Sequence, residues 1–185
     1  MKGIKSNVPD DGFNMAVIYD SEEVGSGTKQ GAGSVIIRNI IDRIFRKFGY
    51  DEETAECALA DAVGLSVDVA HGIHPNIPEK NDPTNKLLLN HGFGIKTSAG
   101  ERYASDPVVI GIVKGLCDRY DIKCQRFVNR SDIPGGSTLG TITVANIPMR
   151  MLDVGVPVLA MHSSRETMGT VSYTHLRAHE TEADL

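Results

Sequence analysis

Two glutamates, Glu22 and Glu23, stand side by side after MAVIYD (15–20), a short apolar run ending in acid. Asp68 lies near the end of a second apolar run, LSVDV, with His71 and His74 behind it, and His162 follows a third, VLAM. Carboxylates and imidazoles are hard or borderline donors, a mixture suited to zinc or manganese. Neighbouring residues near a strand end point in different directions. One glutamate can therefore ligate a metal while the other takes the proton of the metal-bound water, the division of labour that metal-assisted hydrolysis needs. Each residue also has a plainer reading. An EE pair can be a solvated turn, a loop histidine simple surface, Asp132 in SDIPGGST the side chain of a turn, and Lys96 and Tyr103 exposed. The glycine-rich run SEEVGSGTKQGAGS has no G-x4-G-K-[ST], and Gln30 breaks G-x-G-x-x-G. It reads as a tight turn feeding a helix N-terminus, where free N–H groups could meet a carboxylate.

The elements around these residues follow from periodicity. Residues 15–20 read as a buried strand. From Ser34, placed as a cap, Ile36, Ile37, Ile40, Ile41, Ile44, Phe45 and Phe48 form a helical stripe that Gly49 ends. A second helix starts at Asp51 and ends near Gly64, and residues 64–70 are strand-like. A loop rich in His, Pro and Asn (71–85) precedes a short strand at 92–97. Asp106-Pro107 opens a helix carrying Val109, Ile110, Val113, Leu116 and Cys117, with Pro at the first helical position. Residues 125–128 are a strand and 129–138 a turn. Residues 139–147 are ambiguous, and 151–154 and 158–161 read as two strands. Alternating strands and helices imply an α/β fold with a mixed, largely parallel sheet flanked by helices. Such sheets bind ligands beyond their strands' C-terminal ends, where the acids and imidazoles gather.

Composition narrows the class. The chain has 185 residues, 41% hydrophobic and 23% charged, as expected of a globular domain. Nineteen basic residues against 24 acidic leave a net charge of −5, which argues against general affinity for nucleic acid or anionic membranes. No apolar run approaches the ~20 residues of a membrane span. MKGIKSNVPDDGF lacks the apolar core of a secretory signal. Three scattered cysteines, Cys57, Cys117 and Cys124, suggest neither a disulfide framework nor a thiolate zinc site, and fit a cytoplasmic location.

Taken in order, DSEEVGSGTKQGAGS, SVDVAHGIHPNIPEK, GIKTSAGERYASD, FVNRSDIPGGSTLG, LDVG and LAMHSSRE resemble the aspartyl aminopeptidase family of dizinc exopeptidases. The resemblance implies roles for the matching positions. Glu22 is the general base, Glu23 ligates one zinc, Asp68 the other, and His162 is a terminal imidazole ligand. Lys96 meets the acidic side chain of the substrate, and Tyr103 and His71 line that pocket. The implied activity is removal of N-terminal Asp or Glu from peptides by a two-zinc site, in an enzyme that forms homo-oligomers. A lysine held from solvent discriminates physically, because a neutral side chain would leave its charge unpaired.

The resemblance also implies a longer enzyme, in which a histidine and a metal-bridging aspartate precede the glutamate pair. Neither has a match here, although Asp10 and Asp11 are acidic. Residues 1–170 are thus expected to be the C-terminal portion of an incomplete dizinc catalytic domain that is inactive alone. Residues 171–185, where the resemblance fades, are expected to be a non-family, artefactual tail whose His175 and His179 are no metal site. Ser21 stands where the family usually has Asn. Two other readings are a non-catalytic metal- or partner-binding α/β module and an aminopeptidase for neutral residues.

Overall fold

The computed structural model of the chain describes residues 12–182, with side chains to Arg177. Asp10 and Asp11 therefore lie outside the described residues. Its ordered core begins with helix α1 (Ile36–Phe48), followed by α2 (Glu52–Asp61). Gly49 closes α1 with φ +82°, a conformation open to glycine, and its N–H returns to Arg46 and Phe45 carbonyls. Asp51 caps α2 by accepting from the Thr54 N–H at 2.8 Å. The α1 stripe places Ile41 and Phe45 against Leu59 and Ile147, with Phe13 packed edge-on to Phe45 and Tyr50 stacked on it. Ser34 does not cap α1 as expected. The N-cap is Val35, and the Ser34 hydroxyl sits 3.4 Å from the Ile36 N–H.

The sheet contains β1 (Val63–His71), β2 (Phe93–Thr97), β3 (Cys124–Val128), β4 (Arg150–Leu159) and the short β5 (Thr167–Met168). The order is β1-β4-β2-β3, with β5 beside β4. The long ladders β1–β4 and β2–β3 are parallel; β2–β4 and β4–β5 are antiparallel. This is the mixed, largely parallel sheet expected, and it does not close on itself. Helix α3 (Pro107–Arg119) is capped by Asp106, which accepts from the Val108 and Val109 N–H groups. Its inner face, Val109, Val113 and Cys117, meets Phe93, Ile95, Leu152, Val154 and Val156 in the main core. The ambiguous 139–147 segment forms helix α4 (Leu139–Asn146).

Two strand expectations are corrected. Residues 15–20 join no ladder; the segment runs beside β1 with Met15 37% and Ile18 86% exposed. Its apolar pattern needs a neighbouring strand to become a buried one, and β1 offers it no register here. The two strands expected at 151–154 and 158–161 are one continuous β4, because Gly155 and Pro157 fit extended backbone at the rungs opposite Asp68 and Ala70. The segment beyond residue 170 forms helix α5 (Thr170–Glu182). Leu176 enters the main core, the buried Ser172 hydroxyl accepts from the Asn90 N–H at 3.0 Å, and His175 Nδ1 accepts from the Lys123 N–H at 3.3 Å. The side chain of His179 is outside the described residues.

Candidate active site

The glutamate pair sits on a turn rather than a strand end. Ser21 opens it in the left-handed region (φ 62°), and the Gly25 N–H closes it on the Ser21 carbonyl at 3.0 Å. The glycine-rich run folds back beneath it: Gln30 Nε2 donates to the Ser21 hydroxyl at 3.1 Å, and the Gly33 N–H to the Ser26 carbonyl at 2.9 Å. A Cβ on Gly31 would stand 2.5 Å from the Ser26 carbonyl oxygen, so only glycine fits this close approach. Across from the turn, the loop after β4 holds His162, also left-handed at φ 66°, with its N–H on the Glu166 carboxylate. Glu23 and His162, 139 positions apart in sequence, pair at 3.1 Å. Left-handed backbone at Ser21, two residues before Glu23, and at His162 itself stores strain of the sort found at functional sites.

The second half of the site crosses the sheet. Asp68 on β1 and Lys96 on β2 are separated by β4, where Gly155 is the rung opposite Asp68 on one side and Gly94 on the other. Lys96 passes over Gly155, where a Cβ would lie 2.8 Å from Lys96 Cε, and its ammonium reaches Asp68 Oδ2 at 3.1 Å. Lys96 is 2% exposed. Its Nζ also lies 5.5 Å from the centroid of the Tyr103 ring, a cation–π distance. Tyr103 is buried beside Ala70, Leu87 and Phe127, and its hydroxyl accepts from Asn129 Nδ2 at 2.6 Å. Lys96 and Tyr103 are therefore not the exposed surface that isolated residues suggest.

The electrostatics join the two halves. Partial burial, then the charges of Glu23 and Asp68, raise the Glu22 carboxyl above its usual range, with His162 opposing. The surrounding protein, then the Lys96 ammonium and His162, push the His71 imidazole down, with Asp68 opposing. Burial raises the Tyr103 phenol. Glu22, Glu23, Asp68, His71, Lys96, Tyr103 and His162 thus share one electrostatic neighbourhood. His74 and Asp132 do other work: His74 Nδ1 accepts from the Asn76 N–H, and Asp132 pairs with Arg130. Gly155, Asn129, Thr138 and Asp153 also shape the site, and in the sequence only the glycine in LDVG and the turn composition of 129–138 hint at them.

The donors suit zinc in kind. In number they do not. Glu23 faces His162 and Asp68 faces Lys96, and no group of three or more His, Cys, Asp or Glu is placed to hold a metal among the described residues. A catalytic zinc needs about three protein ligands.

The comparisons with known proteins decide the family. The family model described as aminopeptidase I zinc metalloprotease (M18) matches residues 2–178. The chain belongs to the M18 family. A probable M18 family aminopeptidase 2 of Clostridium novyi is 43% identical over 169 residues, 91% of this chain and 39% of that protein. A probable aspartyl aminopeptidase of Ricinus communis is 36% identical over 171 residues, 90% of this chain and 35% of that protein. In a solved complex of Ape4 and Nbr1, one chain superposes with TM-score 0.84 at 34% identity, covering 88% of this chain and 31% of that one. The S. cerevisiae mApe1 dodecamer matches with TM-score 0.69 at 26% identity, covering 90% and 39%. The chain thus spans a little over a third of the length of these curated M18 relatives. No helix among the described residues is long and apolar enough to cross a membrane.

Proposed function

We propose that this M18 chain carries part of the active site of a zinc aminopeptidase that removes N-terminal Asp or Glu from peptides. The observation that carries the reading is Lys96, an almost fully buried ammonium set beside Asp68 and under the Tyr103 ring. An incoming side-chain carboxylate can share its charge; a neutral side chain leaves it with less compensation in a place of poor solvation. The Ricinus relative, described as a probable aspartyl aminopeptidase, supports the same selectivity. Glu22, its carboxyl raised above the usual range, is suited to accept and return a proton. His71 and Tyr103 line the pocket. Glu23, Asp68 and His162 are this chain's donors to the metal, divided between two places.

Because those donors are too few for a complete centre, the chain alone holds at most one ion weakly and turns over little. The working enzyme is the longer protein, assembled as a cytoplasmic homo-oligomer; the mApe1 dodecamer supports such assembly. The Lys96–Asp68 pair also favours a second reading, in which the lysine is already neutralised and the pocket takes neutral residues.

Lys96→Met in a version extended to the relatives' length separates the two. The expected result is a fall in kcat/KM for Asp-peptides of at least about 100-fold, with Leu-peptides changing little. Unaltered preference for Asp would sink the acidic reading. For the chain as it stands, zinc analysis and an Asp-peptide assay suffice; two equivalents of zinc with brisk turnover would refute the incomplete centre.

A further inference from the structure

Asp153 is a carboxylate with no solvent exposure on β4, set between the buried Leu152 and Val154. Its Oδ2 accepts from the Ala104 N–H at 2.5 Å and from the Thr138 hydroxyl at 2.6 Å. Its own N–H donates to the Ala104 carbonyl at 2.8 Å. Its Oδ1 is buried without a hydrogen-bond partner. Gly140, in the first turn of α4, faces the carboxylate so closely that a Cβ would lie 2.5 Å from Oδ2 and 2.7 Å from Oδ1. A buried carboxylate is costly wherever it stands. Packing alone would be served better by another valine.

What it holds explains its presence. Ala104 directly follows Tyr103. Thr138 ends the turn that begins at Asn129, and Asn129 donates to the Tyr103 hydroxyl. One carboxylate therefore ties to β4 both the residue after Tyr103 and the far end of the loop whose Asn129 meets the Tyr103 hydroxyl; β4 is also the strand whose Gly155 lets Lys96 through. We propose that Asp153 is a positioning residue: it clamps Ala104 and Thr138 to β4 and so fixes the Tyr103 ring against Lys96. The assignment rests on the reading of the Lys96–Tyr103 pocket given above. Its charge, with that of Asp68, also adds to the burial that raises the Tyr103 phenol, while the Asn129 hydrogen bond opposes.

The test uses the full chain with 13C-labelled tyrosine, Tyr103 being assigned by Tyr103→Phe. Asp153→Ala is expected to move the Tyr103 ring and Asn129 amide signals while leaving Tyr50, stacked on Phe45 in the other cluster, in place. Unmoved Tyr103 signals overturn the proposal. So does a Tyr50 shift as large as that of Tyr103, since that marks general loosening. Thr138→Val keeps the shape and removes one arm of the clamp, and serves if the alanine variant does not fold. It should move the Tyr103 ring signals in the same way, and unmoved signals overturn the proposal. L-Aspartate and L-leucine are then titrated into the unaltered chain. If aspartate does not perturb Tyr103, the acidic-pocket reading fails, and the clamp is still judged by the variants' spectra.

Discussion

Leu65 and Leu152 are partners across the β1–β4 ladder, as are Val67 and Val154. Leu152 and Val154 are 0% and 1% exposed; Leu65 and Val67 are 36% and 44% exposed. The residue types are the same and the rungs are shared, so the difference lies in the surroundings. β4 has a strand on each side and α3 and α5 packed on it, while β1 is a sheet edge. Beside it a groove of about 820 Å³ is lined by residues 12–19, α1, β1 and α3. Apolar alternation along a strand records the burial that a sequence is suited to, and burial itself needs a neighbour. The other face of β1, which carries Asp68, is better covered: Ala70 is 2% exposed there, while His71 on the Leu65 and Val67 face is exposed. The face of the edge strand that carries Asp68 is packed, and the opposite face is open.

Substitutions can break this comparison. The largest effect is expected from Leu152→Ala, about 2–5 kcal/mol by urea denaturation, against less than about 1 kcal/mol for Leu65→Ala. Equal costs would mean that β1 is covered in solution. Gly155→Ala comes next. Its Cβ would meet the Val69 backbone at 2.8 Å as well as Lys96 Cε, for a loss of about 1–3 kcal/mol and displacement of Lys96 from Asp68. An unchanged Lys96 15N signal would show that the lysine does not need that gap.

A smaller effect concerns pH. His71 is held below its usual value in the fold, so the unfolded chain binds its proton first as pH falls. Stability from neutral His71 is present above about pH 6.5 and is lost below it, as the unfolded state takes up protons. His71→Gln should flatten that part of the stability profile, and an unaltered slope would remove His71 from the account. The smallest is Ser21→Asn. Asparagine tolerates the left-handed backbone better than serine, so a gain below about 1 kcal/mol is expected in thermal melting. A loss would mean that the Gln30 contact to the Ser21 hydroxyl outweighs the backbone preference.

Much of the fold was legible because helix signals here are local. Asp51, Asp106-Pro107 and Gly49 each mark a helix boundary through their own backbone chemistry. The 15–20 run failed because strand formation depends on a partner, and 150–159 was split because Gly155 and Pro157 look like breaks until the register supplies a reason for each. For the candidate site, residue type and order point to Glu22, Glu23, Asp68 and His162, while Lys96 reads as surface until the family resemblance assigns it a role. The supports escaped because they act by being small, as Gly155 and Gly140 do, or through a buried hydrogen bond, as Asp153 does. Neither property has a pattern along the chain.

The β1–β4 ladder has a consequence for how the molecule forms. Val63 pairs with Arg150, so β2, β3, α3 and α4 all lie within the loop that closes when β1 meets β4, its ladder partner among the described residues. Closing so long a loop precedes any reward from the contact, which makes this a slow step in folding. Until then Val63, Leu65 and Val67 lie on an unpaired strand, the kind of intermediate that sticks to its own copies. Refolding yield should accordingly fall with protein concentration well before the native state shows any loss of stability.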